Sequence, residues 1–443
     1  MNKKLSQSEL AFFLRLGFIP PGYSDDHDSQ NKLKLFGNMW QNEATNPFKF
    51  PFFQDKNIGT KSIDLYADEW FEGFKKIVKS SISCEHSVAL FLSGGKDSGL
   101  IAYALRELGY QNVKCFTYVA NGNFENESYA AKNLCNSLGY EHITIDQDVK
   151  KDYEIFSKFV CNSSYPPGDF ASVATYRLSY EAHKADCNLI IDGMGNDIYM
   201  GHIPPKRESR LIKAVEILPL WRFGLWGRNP LWRFETPYSV DYLLDSLLMS
   251  PAERRFSGVK LSQGQINALG INTDVVKEFL ITIENQVKSF REYDKRAFQR
   301  GVYFDELAAC HKTVSAAESF SMKVVFPFVS RELAETYLDF ELDDRFDWKA
   351  RKNKGVLRFL LKSMAKKYNV TDTSFNSEKG SFRVGDIDFM QYVEDKIDNL
   401  DDRSEEMLPY FRLLKETLKN IDRGNAQRAF LLFSYILWQK KCR

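Results

Sequence analysis

Short apolar runs alternate with helical spacings across the first half of the chain. Ser87-Val-Ala-Leu-Phe-Leu92 is apolar almost throughout, as a strand buried on both faces must be. From Gly99 to Leu108, apolar residues recur at 100, 101, 104, 105 and 108, a helical spacing, and Gly109 follows as a C-terminal stop. Val113 to Val119 reads as a second strand, Ser128 to Leu138 as a second helix stopped by Gly139, and His142 to Ile145 as a third strand. A further helix over about Ala171 to Ala185 leads into Leu189-Ile-Ile191, a fourth strand. Repeated strand, helix, strand units of this length predict an α/β fold with a parallel sheet and right-handed crossovers. Residues 1–86 read as a lead-in region, 87–205 as the core, and 206–443 as mainly helical.

One stretch interrupts that last region. Pro219-Leu-Trp-Arg-Phe223 recurs as Pro230-Leu-Trp-Arg-Phe234, a period too short and too seldom repeated for a solenoid. Such aromatics pack a core or a lid more often than they mark a partner surface.

Charge and cysteine usage narrow the partners. Sixty basic against 59 acidic residues leave a net charge of +1, which argues against a general nucleic-acid binder. No apolar stretch is long enough to cross a bilayer, and no cleavage site of a signal peptide follows Met1-Asn2-Lys3-Lys4. The seven cysteines are scattered and form no C-x-x-C pair, so a reducing cytoplasm is expected. The histidines show no metal spacing.

Candidate chemistry concentrates in Ser93-Gly94-Gly95-Lys96-Asp97-Ser98, between the first strand and the first helix. Parallel sheets bind ligands there, at the carboxyl ends of their strands. Two glycines let backbone N–H groups approach a phosphate, and the helix start adds a positive dipole end. Ser93 and Ser98 supply hydroxyls, and Asp97 can hold magnesium against phosphate oxygens. The Walker A spacing is absent. A bare glycine pair would be read as a connecting turn; the six residues together favour a phosphate loop.

This loop resembles that of the N-type ATP pyrophosphatases, which include asparagine synthetases, NAD synthetases, tRNA-lysidine synthetases and sulfur-transfer enzymes. Asp192-Gly193-Met194-Gly195-Asn196-Asp197-Ile198-Tyr199-Met200-Gly201 is similar to the asparagine synthetase pattern S/D-G-x-G-x-D-E-x-x-G-G. Phe326-Pro327-Phe328 resembles that family's R-V-P-F-L-D segment, Lys354-Gly-Val-Leu-Arg358 its K-x-x-L-R, and Glu378-Lys379-Gly380-Ser381-Phe382 its R-x-K-x-x-F. The ordered set covers about residues 85 to 385.

The resemblance implies a parallel sheet of the adenine nucleotide alpha hydrolase-like (PP-loop) type in 87–205, with 206–443 completing the synthetase domain. It implies that Ser93, Gly94, Gly95 and Ser98 cradle pyrophosphate and that Asp97 and Asp197 share magnesium. Backbone around Tyr118 and Gly193 would frame the adenosine, and Lys379 and Lys354 would be the catalytic cations. The implied activity is an ATP-dependent amide- or amidine-forming ligase that adenylylates a small-molecule carboxylate and releases AMP and pyrophosphate. Its nitrogen would come from ammonia, a separate partner glutaminase, or an amine on the substrate itself.

The sequence also departs from the family. Asparagine synthetases begin with a cysteine that hydrolyses glutamine in a separate domain; here residue 2 is asparagine and the loop starts at 93. In-chain glutamine hydrolysis is not expected. Met194 stands where asparagine synthetases have Glu and β-lactam synthetases Tyr, Lys323-Val324-Val325 replaces E-x-R, and Ser330 replaces an Asp. A methionine cannot take a proton from an attacking amine, so aspartate is not the expected acceptor, while the resemblance implies that ATP handling is kept. Two other readings stay open: an RNA-modifying enzyme resembling tRNA-lysidine synthetase or the thiolases, and a non-catalytic ATP-binding relative.

Overall fold

Val88–Phe91 (β1) lies at the centre of a five-stranded sheet in the computed structural model of the chain. The structure describes residues 4–20, 22–23, 63–83, 86–120, 125–196, 249–256, 260–289, 292–338, 340, 342–347, 349, 352–370, 386–397, 405–419, 421 and 423–442. The other strands are Val113–Val119 (β2), Glu141–Asp146 (β3), Leu189–Ile191 (β4) and Lys323–Val325 (β5). All pair in parallel, in the order β3-β2-β1-β4-β5. The expected parallel α/β sheet is therefore present. β5 comes from the region read as helical: three residues headed by a lysine carry too little pattern, and pairing with β4 decides their conformation.

Each central strand serves two cores. Val88 and Leu90 join Val113, Cys115, Leu189 and Ile191 on one face, while Ala89 and Phe91 join Phe116, Tyr118 and Ile190 on the other. Alternation of side chains across the sheet thus turns an apolar run into two packed surfaces.

The chain's first described helix, Gln7–Leu16 (α1), buries its phenylalanines in the second of these cores. Helix Ile63–Ser81 (α2) covers the first, where Trp70 donates its indole N–H to the Leu333 carbonyl at 3.2 Å. Lys96–Glu107 (α3) and Glu125–Leu138 (α4) are the crossovers from β1 to β2 and from β2 to β3. Both end as the glycines predict: Gly109 and Gly139 have φ of +80° and +72°, and Tyr110 and Tyr140 N–H return to the Leu105 and Cys135 carbonyls. Val149–Phe159 (α5) is an additional helix beyond those expected, and Ser172–Lys184 (α6) is the helix expected before β4.

Order reverses at the β1/β4 boundary. The connections through α3 and α4 run outward to β2 and β3, while the one through α5 and α6 returns to β1's other side. Such a reversal splays the loops that follow the two strands and leaves a crevice at their carboxyl ends.

Three later helices matter for the site: His311–Ser319 (α7), Gly355–Lys367 (α8) and the C-terminal Arg423–Cys442 (α9). Directly before α7, Arg300–Cys310 is a π-helix. Gly168, in the loop before α6, lies against the end of α1 so closely that a Cβ there would be 2.2 Å from the Gly17 carbonyl oxygen. Among the described residues no helix is long and apolar enough to cross a membrane.

Candidate active site at the sheet's switch point

The loop leaving β1 is folded by its own serines. Ser98 Oγ donates to the Ser93 carbonyl at 3.1 Å and accepts from Ser93 N–H at 3.2 Å, while Ser93 Oγ accepts from Gly95 N–H at 3.2 Å. Helix α3 starts immediately, with Gly95 as an N-cap that has no side chain to place over the first amides. The positive end of α3 therefore starts within this loop, at the carboxyl end of β1.

Asp97, in the first turn of α3, is 9% exposed. Lys354 Nζ reaches both of its carboxylate oxygens, at 2.9 and 2.8 Å, across 257 residues of sequence. Lys354 is itself buried and sits at the N-cap of α8 with φ 63° and ψ 43°, a left-handed conformation unusual for a residue with a Cβ. The next residue has to be glycine: a Cβ at Gly355 would lie 1.9 Å from the Asp344 carbonyl oxygen. Backbone strain at the start of α8 thus coincides with delivery of an ammonium group to the loop.

The loop leaving β4 packs directly on the first. A Cβ at Gly193 would stand 3.0 Å from Ser98 N and 3.3 Å from Asp97 Cβ, a tight fit that any other residue could meet only by pushing the first loop back a few tenths of an ångström. Asn196 Nδ2 donates to Asp97 Oδ1. Asp192 folds the loop back on itself: its Oδ1 accepts from Met194 N–H at 3.2 Å, and its Oδ2 accepts from Thr313 Oγ1 at 2.7 Å. Burial raises the Asp192 carboxyl above its ordinary value, against the pull of Lys312, Thr313 and the Met194 and Gly193 N–H groups.

Of the residues expected from the sequence, Ser93, Gly94, Gly95, Asp97, Ser98, Gly193 and Lys354 meet here. Tyr118 reaches the end of β2, but its side chain turns into the core, where its hydroxyl donates to Asp152 Oδ2 at 2.6 Å. Only its backbone is left to face a ligand. Asp197 and Lys379 lie outside the described residues, as does the Trp-rich repeat.

The residues present fit a magnesium ion. Asn196 Oδ1 is buried without a hydrogen-bond partner among the described residues, and it stands beside the Asp97 carboxylate. Two hard oxygens suit that ion. Among the described residues no group of three or more His, Cys, Asp or Glu could hold a metal alone, so phosphate oxygens would have to complete the shell.

Sequence reasoning passes over Lys312, Thr313 and Asp169. Lys312 is buried and donates to Asp169 Oδ2 at 3.0 Å. Burial would lower its ammonium pKa, but Asp169 and Asp192 outweigh that and hold it above the ordinary lysine value. No motif marks these residues; a buried lysine beside two carboxylates becomes visible only in the fold.

The asparagine synthase family model matches residues 70–438. The amidase chyE of Penicillium rubens (strain ATCC 28089 / DSM 1075 / NRRL 1951 / Wisconsin 54-1255) is 28% identical over 29% of this chain. The chain spans 22% of that amidase's length. Two solved structures are similar in part. The U34-tRNA thiolase NcsA from Methanococcus maripaludis, with its [4Fe-4S] cluster, has TM-score 0.25 and 16% identity, over 53% of this chain and 78% of its own. The NH3-dependent NAD synthetase from Campylobacter jejuni subsp. jejuni NCTC 11168, in complex with the nitrate ion, has TM-score 0.24 and 17% identity, over 46% and 100%.

Proposed function

From a chain that belongs to the asparagine synthase family, a family of ATP-utilising, amide-forming ligases, we propose an enzyme that splits ATP between its α and β phosphates to activate a carboxylate. A substrate carboxylate oxygen attacks the α-phosphorus, the bond to the bridging oxygen breaks, and pyrophosphate leaves. An amine or ammonia nitrogen then attacks the acyl carbon, AMP departs, and the nitrogen gives up its proton. The observation that carries this reading is the contact of two glycine loops at the switch point, with Lys354 brought onto Asp97 from a distant helix.

Each residue then has a role in that chemistry. Ser93, Gly94, Gly95 and Ser98 bind the pyrophosphate, and Gly193 and the backbone at Tyr118 frame the adenosine. Asp97, with Asn196 beside it and Asp197 following, would hold the magnesium ion, which supplies positive charge to the phosphate oxygens. Lys354 and Lys379 stabilise charge that grows on the leaving pyrophosphate. Met194 offers no proton acceptor, which speaks against aspartate as acceptor and leaves the proton to another group or to the substrate.

Ion-exchange analysis of the nucleotide products tests the reading. AMP and pyrophosphate are expected; ADP as the main product would sink it.

A further inference from the structure

We propose that Thr313 and Lys312, in the first turn of α7, are positioning residues that hold the second glycine loop in register with the phosphate loop. The inference rests on the ATP reading above and adds residues that no motif assigns.

Among the described residues, few hydrogen bonds hold the second loop. β4 ends at Ile191, and the backbone then turns through Gly193 to Asn196. Asp192 is the hub of that turn. One carboxylate oxygen takes the Met194 N–H, which sets the curl of the loop, and the other takes the Thr313 hydroxyl, which sets its tilt against α7. Gly193 has almost no clearance over Ser98 N, so a small rotation about Asp192 moves the phosphate loop or opens the contact.

Helix α7 is built as a support. His311, Lys312, Thr313 and Ser315 are all buried, so its first turn is enclosed on several sides. The His311 ring stacks on Tyr165 at 4.0 Å between centroids and meets Ser163 Oγ at 3.1 Å; Trp438 of α9 donates to the Ser163 carbonyl at 3.1 Å. Lys312 ties the same turn to Asp169 and lies near enough to Asp192 for mutual attraction. The π-helix over Arg300–Cys310 resets the rotation of the chain just before these residues. Such wide turns are rare and frequently sit at functional sites. None of these side chains touches a reacting atom in the proposed reaction; they act through Asp192.

Calorimetric titration of the full chain with MgATP tests the role. Thr313→Val deletes the donor while keeping the shape, and should weaken MgATP binding about tenfold, the scale of a hydrogen bond to a charged group. Thr313→Ser restores a hydroxyl and should bind within about twofold of wild type. A purely structural threonine would alter thermal stability in the valine variant and leave MgATP affinity unchanged. Lys312→Gln keeps a polar head group but removes the charge beside Asp192, and gives a second arm if the valine variant does not fold; it too should lose affinity. Unchanged affinity in the valine and glutamine variants, or equal losses in the valine and serine variants, would overturn the positioning role. A wild-type protein that releases no heat with MgATP would sink the ATP reading itself, and this role with it.

Discussion

Replacing Lys354 separates two contributions made by one residue. Its ion pair with Asp97 is buried, with side chains 9% and 13% exposed. Removing one partner of a buried pair costs about 3–5 kcal/mol, because the remaining charge stays out of water. Asn196 Nδ2 still donates to Asp97, so Lys354→Ala should lose about 3 kcal/mol, the lower end of that range. The left-handed backbone at 354 adds about 1–2 kcal/mol of strain for any residue with a Cβ. Alanine keeps that strain and glycine relieves it, although glycine's freedom in the unfolded chain takes back roughly 0.4–1 kcal/mol. Lys354→Gly should therefore be at least as stable as Lys354→Ala, by up to about 1.6 kcal/mol. The double variant Asp97→Ala/Lys354→Ala also removes the carboxylate that has lost its cation and should be less destabilised than the sum of its parts. Urea unfolding followed by circular dichroism measures these three variants and the single Asp97→Ala variant, and all four should lose turnover. Full stability in Lys354→Ala, together with strict additivity in the double variant, would refute the argument that this pair braces the loop.

Three further outcomes are expected. Lys379→Ala should lower kcat about a hundredfold or more while the KM for ATP moves far less, since one charge-stabilising donor in the transition state is worth roughly 3 kcal/mol; steady-state kinetics with varied ATP decide it. Burial lowers the His311 pKa from 6.5 to about 4, so its contribution is complete above pH 6.5 and is lost as pH falls towards 4. The loss is about 3 kcal/mol, read as a falling urea midpoint that flattens in His311→Gln. Finally, the isolated chain should release no glutamate from glutamine, and an enzymatic glutamate assay checks this.

Much of the sheet is legible in the sequence because its strands are apolar runs between glycine-stopped helices. Val113–Val119 and Leu189–Ile191 are strands as read, and Gly109 and Gly139 do end their helices. β5 is not legible, since Lys323-Val-Val325 is short and takes its conformation from its neighbour. The two glycine loops announce themselves through spacing. Their contact does not, because it depends on the order in which strands insert beside β1. Lys354 is singled out in the sequence only by its resemblance to K-x-x-L-R, and its pairing with Asp97 appears only once α8 delivers it; Thr313 is an unremarkable helix threonine until Asp192 is found beneath it.

The meeting of Gly168 with the Gly17 carbonyl bears on where this protein can be cut. The matched family segment runs from 70 to 438, yet α1 lies before it and closes on the loop that carries Asp169. Arg15 donates to the Leu261 carbonyl at 2.8 Å, and Leu261 N–H donates to the Leu14 carbonyl at 3.1 Å, so α1 is also stitched to the chain's second half. At the other end, the indole of Trp438 holds Ser163. A truncation drawn along the family boundary would therefore remove the wedge beneath Gly168 and fray the helix that carries Trp438. The segment matched by the family model is shorter than the segment these contacts tie together, so an excised or grafted version of this site should begin ahead of residue 7 and run past the end of α9.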